Sequence, residues 1–290
     1  MNKFNTFVFL FTLLFFSCSK TTQQEDIITV TIEPQRYFAE QLVDSLFKIV
    51  TMVPPGSSPE DYDPTPQQMI QLAKSKAYFC IGHIGFENVW LDKLKQNNPD
   101  VLFFDNSEGI DFAFSEHCHG SHEHHDHVFD SGIDPHTWTS PKEVSIIVQN
   151  MCNALIEIDS KNAEIYKRNL EKLLEEIKET NQIVENYLNQ SSQKSFLIYH
   201  PALAYFARDY GFDQYSIEME GKEPTPAQLK NIIDIAKREK TKVVFIQQEF
   251  DKKNAEIIAN ETGCQLVVIN PLSYNWSEEI IRIARVLIDE

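Results

Sequence analysis

The chain alternates short β-branched and aromatic runs with amphipathic helical stretches, and it does so twice. That order constrains the fold more than any other feature. Residues 27–32 (IITVTI) read as a first strand. Residues 36–50 carry Phe38, Leu42, Leu46 and Ile49 at helical spacing and are predicted to be helical. A Pro- and Gly-rich loop, 52–64, follows. Thr65 and Pro66 then open a helix, with Thr65 as N-cap and proline at the first helical position. Residues 77–81 read as a strand, 86–94 as a helix and 101–104 as a strand. This order predicts an α/β lobe with a largely parallel sheet, since parallel neighbours need crossover connections. Residues 195–199 (SFLIY) restart the pattern. Helix 201–210, extended 212–217, helix 225–238, strand 243–246, helix 252–262, strand 266–269 and helix 277–288 follow. Thr225-Pro226 repeats the Thr65-Pro66 opening, which suggests two similarly built lobes.

The middle of the chain breaks the rhythm. Residues 108–130 contain HCHGSHEHHDH at 117–127 and read as a surface loop. Residues 141–158 and 161–188 are predicted helices. The second, about 28 residues at 1.5 Å each, would run about 42 Å and is the candidate interlobe strut. At the N-terminus, Lys3 precedes an apolar run, 7–16, shorter than the roughly 20 residues a spanning helix needs. It has the proportions of a signal-peptide core. Ser17-Cys18 closes it in a way that resembles a bacterial lipobox, which implies cleavage before Cys18 and lipid on that residue. An ordinary signal peptide with an incidental cysteine is the plainer alternative. The expected plan is a leader at 1–17, an N-terminal lobe at 18–158, an interlobe helix at 159–190 and a C-terminal lobe at 191–290.

The full chain carries a formal charge of −17. Removing 1–17 deletes only Lys3, so 43 acidic residues then face 26 basic ones less that lysine, a net −18. Such a charge argues against nucleic acid as a partner and suits cation capture. Besides Cys18, the cysteines are Cys80, Cys118, Cys152 and Cys264. They form no CxxC pair, and the spacing selects no disulfide.

Histidine usage is the sharpest chemical signal. Six of nine lie within 117–127; the others are His83, His136 and His200, each in a loop or just after a predicted strand. Ligands of doubly wound folds collect at the carboxyl ends of strands, and neutral imidazole is a good zinc ligand. A lone histidine is more often structural, so spacing alone does not make these three a site.

PPGSSPEDYDPTPQQM (54–69), GHIGFENVW (82–90), GIDPHTWTSP (132–141) and YHPALAYFARDYGF (199–212) together resemble the zinc/manganese solute-binding proteins of ABC transporters, the ZnuA/TroA-like family. FIQQEFDKKNAEIIANETG (245–263) and VINPL (268–272) fit the same pattern, and the resemblance covers nearly the whole chain after the leader. It implies two Rossmann-like α/β lobes with mainly parallel sheets, joined by a long rigid helix, with metal held in the cleft. His136 and His200 match the family's second and third ligands. Glu60 stands where the first ligand is usually histidine, and Asn270 where the fourth is usually a carboxylate. His83, at a strand end, is the candidate to fill the vacated place. The expected site is His83, His136 and His200, with Glu60 either as fourth ligand or as a hydrogen-bond acceptor behind one, and Asn270 standing at the family's fourth position.

The tract His117, Cys118, His119, His122, His124, His125 and His127 is expected to collect metal weakly. Histidine-rich donors favour Zn2+ over Mn2+, which draws more oxygen. The resemblance implies a monomeric, lipid-anchored protein of the bacterial cell envelope. It would bind metal without chemistry and pass it to an ABC-type permease. Two other readings stay open: a zinc hydrolase with Glu60 or Glu87 as base, and a metal-buffering or adhesive surface protein. The chain lacks an HExxH motif, which weighs against the first. Trp90, Trp138 and Trp276 read as packing residues.

Overall fold

The computed structural model describes residues 26–114, 132–218 and 221–288. The leader, Cys18 and the tract 117–127 lie outside the described residues. The N-terminal lobe is a four-stranded parallel sheet: β1 (Ile27–Val30), β2 (Lys48–Thr51), β3 (Ser75–Cys80) and β4 (Leu102–Asp105), in the order β2-β1-β3-β4. Its crossovers carry α1 (Glu33–Val43), α2 (Pro66–Leu72) and α3 (Gly85–Asn97). The C-terminal lobe repeats that relative order as β6-β5-β7-β8, all parallel. Its strands are β5 (Ser195–Ile198), β6 (Asp213–Ser216), β7 (Val243–Gln247) and β8 (Gln265–Ile269). In each sheet the first strand has its next two partners on opposite sides. The crevice at that reversal is where a doubly wound fold binds its ligand.

The residues explain the elements. Ile28, Val30, Phe79 and Ile198 are fully buried, as strands covered on both faces require. Thr65 and Thr225 each cap a helix through the N–H of the residue three places on, Gln68 and Gln228, whose side chains return the bond. One expectation is corrected. The helix predicted at 36–50 ends at Val43, Asp44 turns with φ of 54°, and the KIVT run pairs with β1 as β2. Leu46 and Ile49 suited a helical spacing, but a short apolar run satisfies either period, and pairing with β1 decides it.

After α4 (Pro141–Ile158) comes α5 (Ala163–Leu188), whose 26 residues span about 39 Å at 1.5 Å each. It buries one stripe: Tyr166, Leu170, Leu173, Ile177, Val184 and Leu188. The remaining helices are α6 (Ala204–Tyr210), α7 (Pro226–Glu239), α8 (Lys253–Thr262) and α9 (Trp276–Val286). One continuous apolar core joins Phe38 of α1, Ile177 of α5, Phe196 of β5 and Trp276 of α9. The lobes are therefore welded along α5 and α9.

Two buried tryptophans clasp that weld. Trp138 donates its indole N–H to the Pro271 carbonyl at 3.0 Å. Trp276 donates to the Trp138 carbonyl at 2.7 Å and packs edge-on against Phe38, ring centres 5.4 Å apart. Closer to the strand ends, Arg208 of α6 pairs with Glu143 of α4, and the Ser140 hydroxyl donates to Asp209. Cys80, Cys152 and Cys264 are buried free thiols, so no bridge joins them. Among the described residues, no helix is long and apolar enough to cross a membrane.

Candidate metal centre

His200 lies two residues past the end of β5, at the carboxyl end of the strand around which the C-terminal sheet reverses. Gln247, the last residue of β7, clamps its backbone from both sides. The Gln247 amide nitrogen donates to the His200 carbonyl at 2.6 Å, and its oxygen accepts from the His200 N–H at 3.3 Å. His136 lies at the entry to the 3-10 turn that precedes α4, and its N–H donates to Asp134 Oδ1 at 2.9 Å. The His136 loop is bonded to the helix that follows His200. The Tyr205 hydroxyl, on α6, donates to the Asp134 carbonyl at 2.7 Å. The histidines are thus set by a cross-lobe framework rather than by two independent loops.

Their nitrogens divide the same way. His136 Nδ1 lies 2.9 Å from Asp134 Oδ1, and His200 Nδ1 lies 2.6 Å from Glu218 Oε1. A carboxylate at Nδ1 fixes the proton there and leaves the Nε2 lone pair outward, the arrangement that orients metal-binding imidazoles. The two Nε2 atoms face each other at 3.1 Å. Glu60 joins them from the loop before α2, its Oε1 3.7 Å from His136 Nε2. That oxygen is buried and has no hydrogen-bond partner. Two imidazole nitrogens and an unpartnered carboxylate oxygen at such range are donors that could hold a cation. Among the described residues, Glu60, His136 and His200 form a group whose ligand atoms all lie within 4.8 Å of one another.

Electrostatics agree with that reading. Burial disfavours a charged His136, but Asp134, Glu60 and Glu218 outweigh it and hold the pKa above the ordinary imidazole value. The site attracts positive charge even before a metal enters. Phe250 stacks on the His200 ring at 5.6 Å, and Trp138 lies 5.2 Å from the His136 ring, which gives the donors apolar walls.

Of the residues singled out from sequence, the fold brings together Glu60, His136 and His200 and leaves His83 outside the group. His83 sits in the left-handed region at φ of 60°, where Asn88 Nδ2 donates to its carbonyl at 3.0 Å. That turn sends the ring against Phe112, 4.8 Å away, instead of toward the imidazoles. Asn270 anchors its backbone N–H on Glu279 at 2.7 Å and lines a small interlobe cavity with Ile32, Glu33, Pro54, Gln248 and Leu272. Its side-chain oxygen is buried and unpartnered. Glu87 is committed elsewhere. It accepts the Ile81 and Gly82 N–H groups at 2.8 Å each and the Thr31 hydroxyl. Burial pushes its carboxyl up to about 7. The sequence reading passed over three carboxylates beside the site: Asp134, Glu218 and Glu249. Burial raises the Glu249 carboxyl, and His200 and His136 pull it back. Asp134 could have been found two residues before His136, but Glu218 and Glu249 are adjacent only once β5, β6 and β7 pair.

Fold and site together define a two-lobed α/β protein with a candidate cation site between its lobes. Residues 28–281 match the family model described as zinc-uptake complex component A, periplasmic. The chain belongs to this family, whose members bind metal for transport and are not enzymes. It is 25% identical to the high-affinity zinc uptake system protein ZnuA of Bacillus subtilis (strain 168) over 262 residues, 87% of this chain and 80% of that one. It is 27% identical over 231 residues to the manganese-binding lipoprotein MntA of Halalkalibacterium halodurans, covering 78% and 72% of the two chains. A crystal structure of ZnuA superposes with a TM-score of 0.82 at 36% identity, covering 90% of this chain and 97% of that one.

Proposed function

We propose that the chain is a lipid-anchored receptor of the bacterial cell envelope that captures Zn2+ between its lobes and delivers it to an ABC-type importer. The observation that carries this reading is the convergence of His136 Nε2, His200 Nε2 and Glu60 Oε1, drawn from both lobes, with a carboxylate behind each imidazole. Two imidazoles and one carboxylate suit zinc, which takes four donors, better than manganese, which draws more oxygen. A fourth donor comes from water or from the unpartnered oxygen of Asn270. Binding without turnover fits a site in which Asp134 and Glu218 back the imidazoles and Glu60 completes the donor set, with Glu87 sealed by its own hydrogen bonds. In this reading residues 1–17 are a leader, Cys18 carries the anchor, and the tract 117–127 raises the local metal concentration. The protein works as a monomer.

The test is functional coupling to the importer. The cognate permease, reconstituted in liposomes, should hydrolyse ATP faster with the zinc-loaded protein than with the metal-free form. The His136→Ala/His200→Ala variant should give no stimulation. Equal stimulation by the loaded, metal-free and double-variant proteins would reject delivery as the function.

A further inference from the structure

We propose that Gly85 sets how Glu60 meets the metal: its backbone N–H holds one carboxylate oxygen, so that Glu60 acts as a one-oxygen donor. The inference rests on the reading of Glu60, His136 and His200 as the metal centre. Glu60 Oε2 accepts from the Gly85 N–H at 3.2 Å, and the next N–H, of Phe86, donates to the Pro59 carbonyl at 2.8 Å. The first turn of α3 therefore docks two backbone donors on the 59–60 turn. Such N–H groups have no partner inside their own helix, and a helix N-terminus favours negative charge. The other oxygen, Oε1, is the buried atom without a hydrogen-bond partner, and it faces His136. The two oxygens thus have separate tasks.

Only glycine permits this approach. A Cβ at position 85 would stand 2.2 Å from the Glu60 carbonyl oxygen and 2.8 Å from both its Cα and its Oε2. Two of these are backbone atoms, which cannot rotate away as a side-chain tip can. Any larger residue would push the 59–60 turn off α3 and loosen the carboxylate. The Gly85 N–H takes one lone pair of Oε2 and holds that oxygen on α3, which disfavours chelation through both oxygens. Zinc, satisfied by four donors, loses little by this, whereas an ion that seeks many oxygens loses one. Gly85 is accordingly a positioning residue that biases the site toward zinc.

Zinc affinity by competition with a chromogenic chelator tests the tether, on wild type, Glu60→Gln, Glu60→Ala, Gly85→Ala and the Gly85→Ala/Glu60→Ala pair. If the tether holds, the glutamine carbonyl stays on the Gly85 N–H and the NH2, a donor and no ligand, turns to the imidazoles. Glu60→Gln then binds zinc within about twofold of Glu60→Ala, despite keeping the shape of the side chain. Gly85→Ala should weaken zinc by about 10–100-fold, the usual cost of losing a group that orients a ligand, and have no further effect once Glu60 is alanine. The proposal is overturned if Glu60→Gln clearly outbinds Glu60→Ala, or if Gly85→Ala costs as much without the carboxylate as with it. Glu60→Gln demands no backbone shift, so it decides the matter even where Gly85→Ala does not fold. Wild-type affinity retained in His136→Ala/His200→Ala would instead overturn the metal-centre reading itself.

Discussion

Replacing Trp276 by phenylalanine tests whether the two lobes share one core. The indole is 2% exposed and its N–H is bonded to the Trp138 carbonyl at 2.7 Å, inside a residue that is itself 1% exposed. Phenylalanine removes the donor and leaves that carbonyl unpaired, at about 1–3 kcal/mol. The smaller ring also leaves a void of roughly 30–40 Å3, which at about 24 cal/mol per Å3 adds about 1 kcal/mol. The sum is about 2–4 kcal/mol. At about 2–4 °C per kcal/mol for chains of this order of size, the midpoint should fall by about 5–15 °C. Scanning calorimetry of the metal-free protein reads it directly. Wild type should unfold in a single transition, because Phe38, Ile177, Phe196 and Trp276 belong to one cluster. A shift under about 2 °C, or two separate lobe transitions in wild type, would show that the lobes do not share one core.

Asp134→Asn and Glu218→Gln keep the size of the groups behind the imidazoles but remove their charge. Each should weaken zinc by about 10–100-fold in a calorimetric titration, and unchanged affinity would remove them from the site. His136 has a raised pKa, so the stability it gives the metal-free protein is fully present below the ordinary imidazole value and fades as pH rises through the folded value. Zinc binding runs oppositely and should strengthen across that window as the proton leaves, and Asp134→Asn should move the window to lower pH; a pH-independent Kd between 5.5 and 8.5 contradicts this. Glu87 titrates at about 7, well above the ordinary carboxylate value, so its contribution is present in acid and lost as pH climbs through about 7. Urea midpoints should show the loss, up to about 3 kcal/mol, flattened in Glu87→Gln; identical slopes for both proteins would place the proton elsewhere.

Much of the architecture was legible because its signals are local. Thr65-Pro66 and Thr225-Pro226 announce helix starts through capping that needs no tertiary context. In the β5–β8 half, β5, β7 and β8 read cleanly because each is a short, largely apolar run beside polar helices. β2 was missed because KIVT declares itself only by pairing with β1. At the site, His136, His200 and Glu60 stood out through the segments around them. His83 misled because a strand-end position says nothing about where a left-handed turn aims the ring. Glu218 and Glu249 were invisible, since each reaches the histidines only through strand order. The tether from Gly85 to Glu60 spans 25 positions and depends on a missing Cβ, which no spacing rule reports.

The most direct test of the central claim is a calorimetric titration with Zn2+ and Mn2+ of the soluble protein lacking 117–127, with and without His136→Ala/His200→Ala. One tight zinc site, weaker manganese binding, and loss of the tight site in the double variant are expected. A tight site that survives the double variant, or none before mutation, would contradict that claim and move the metal away from the crevice between the lobes.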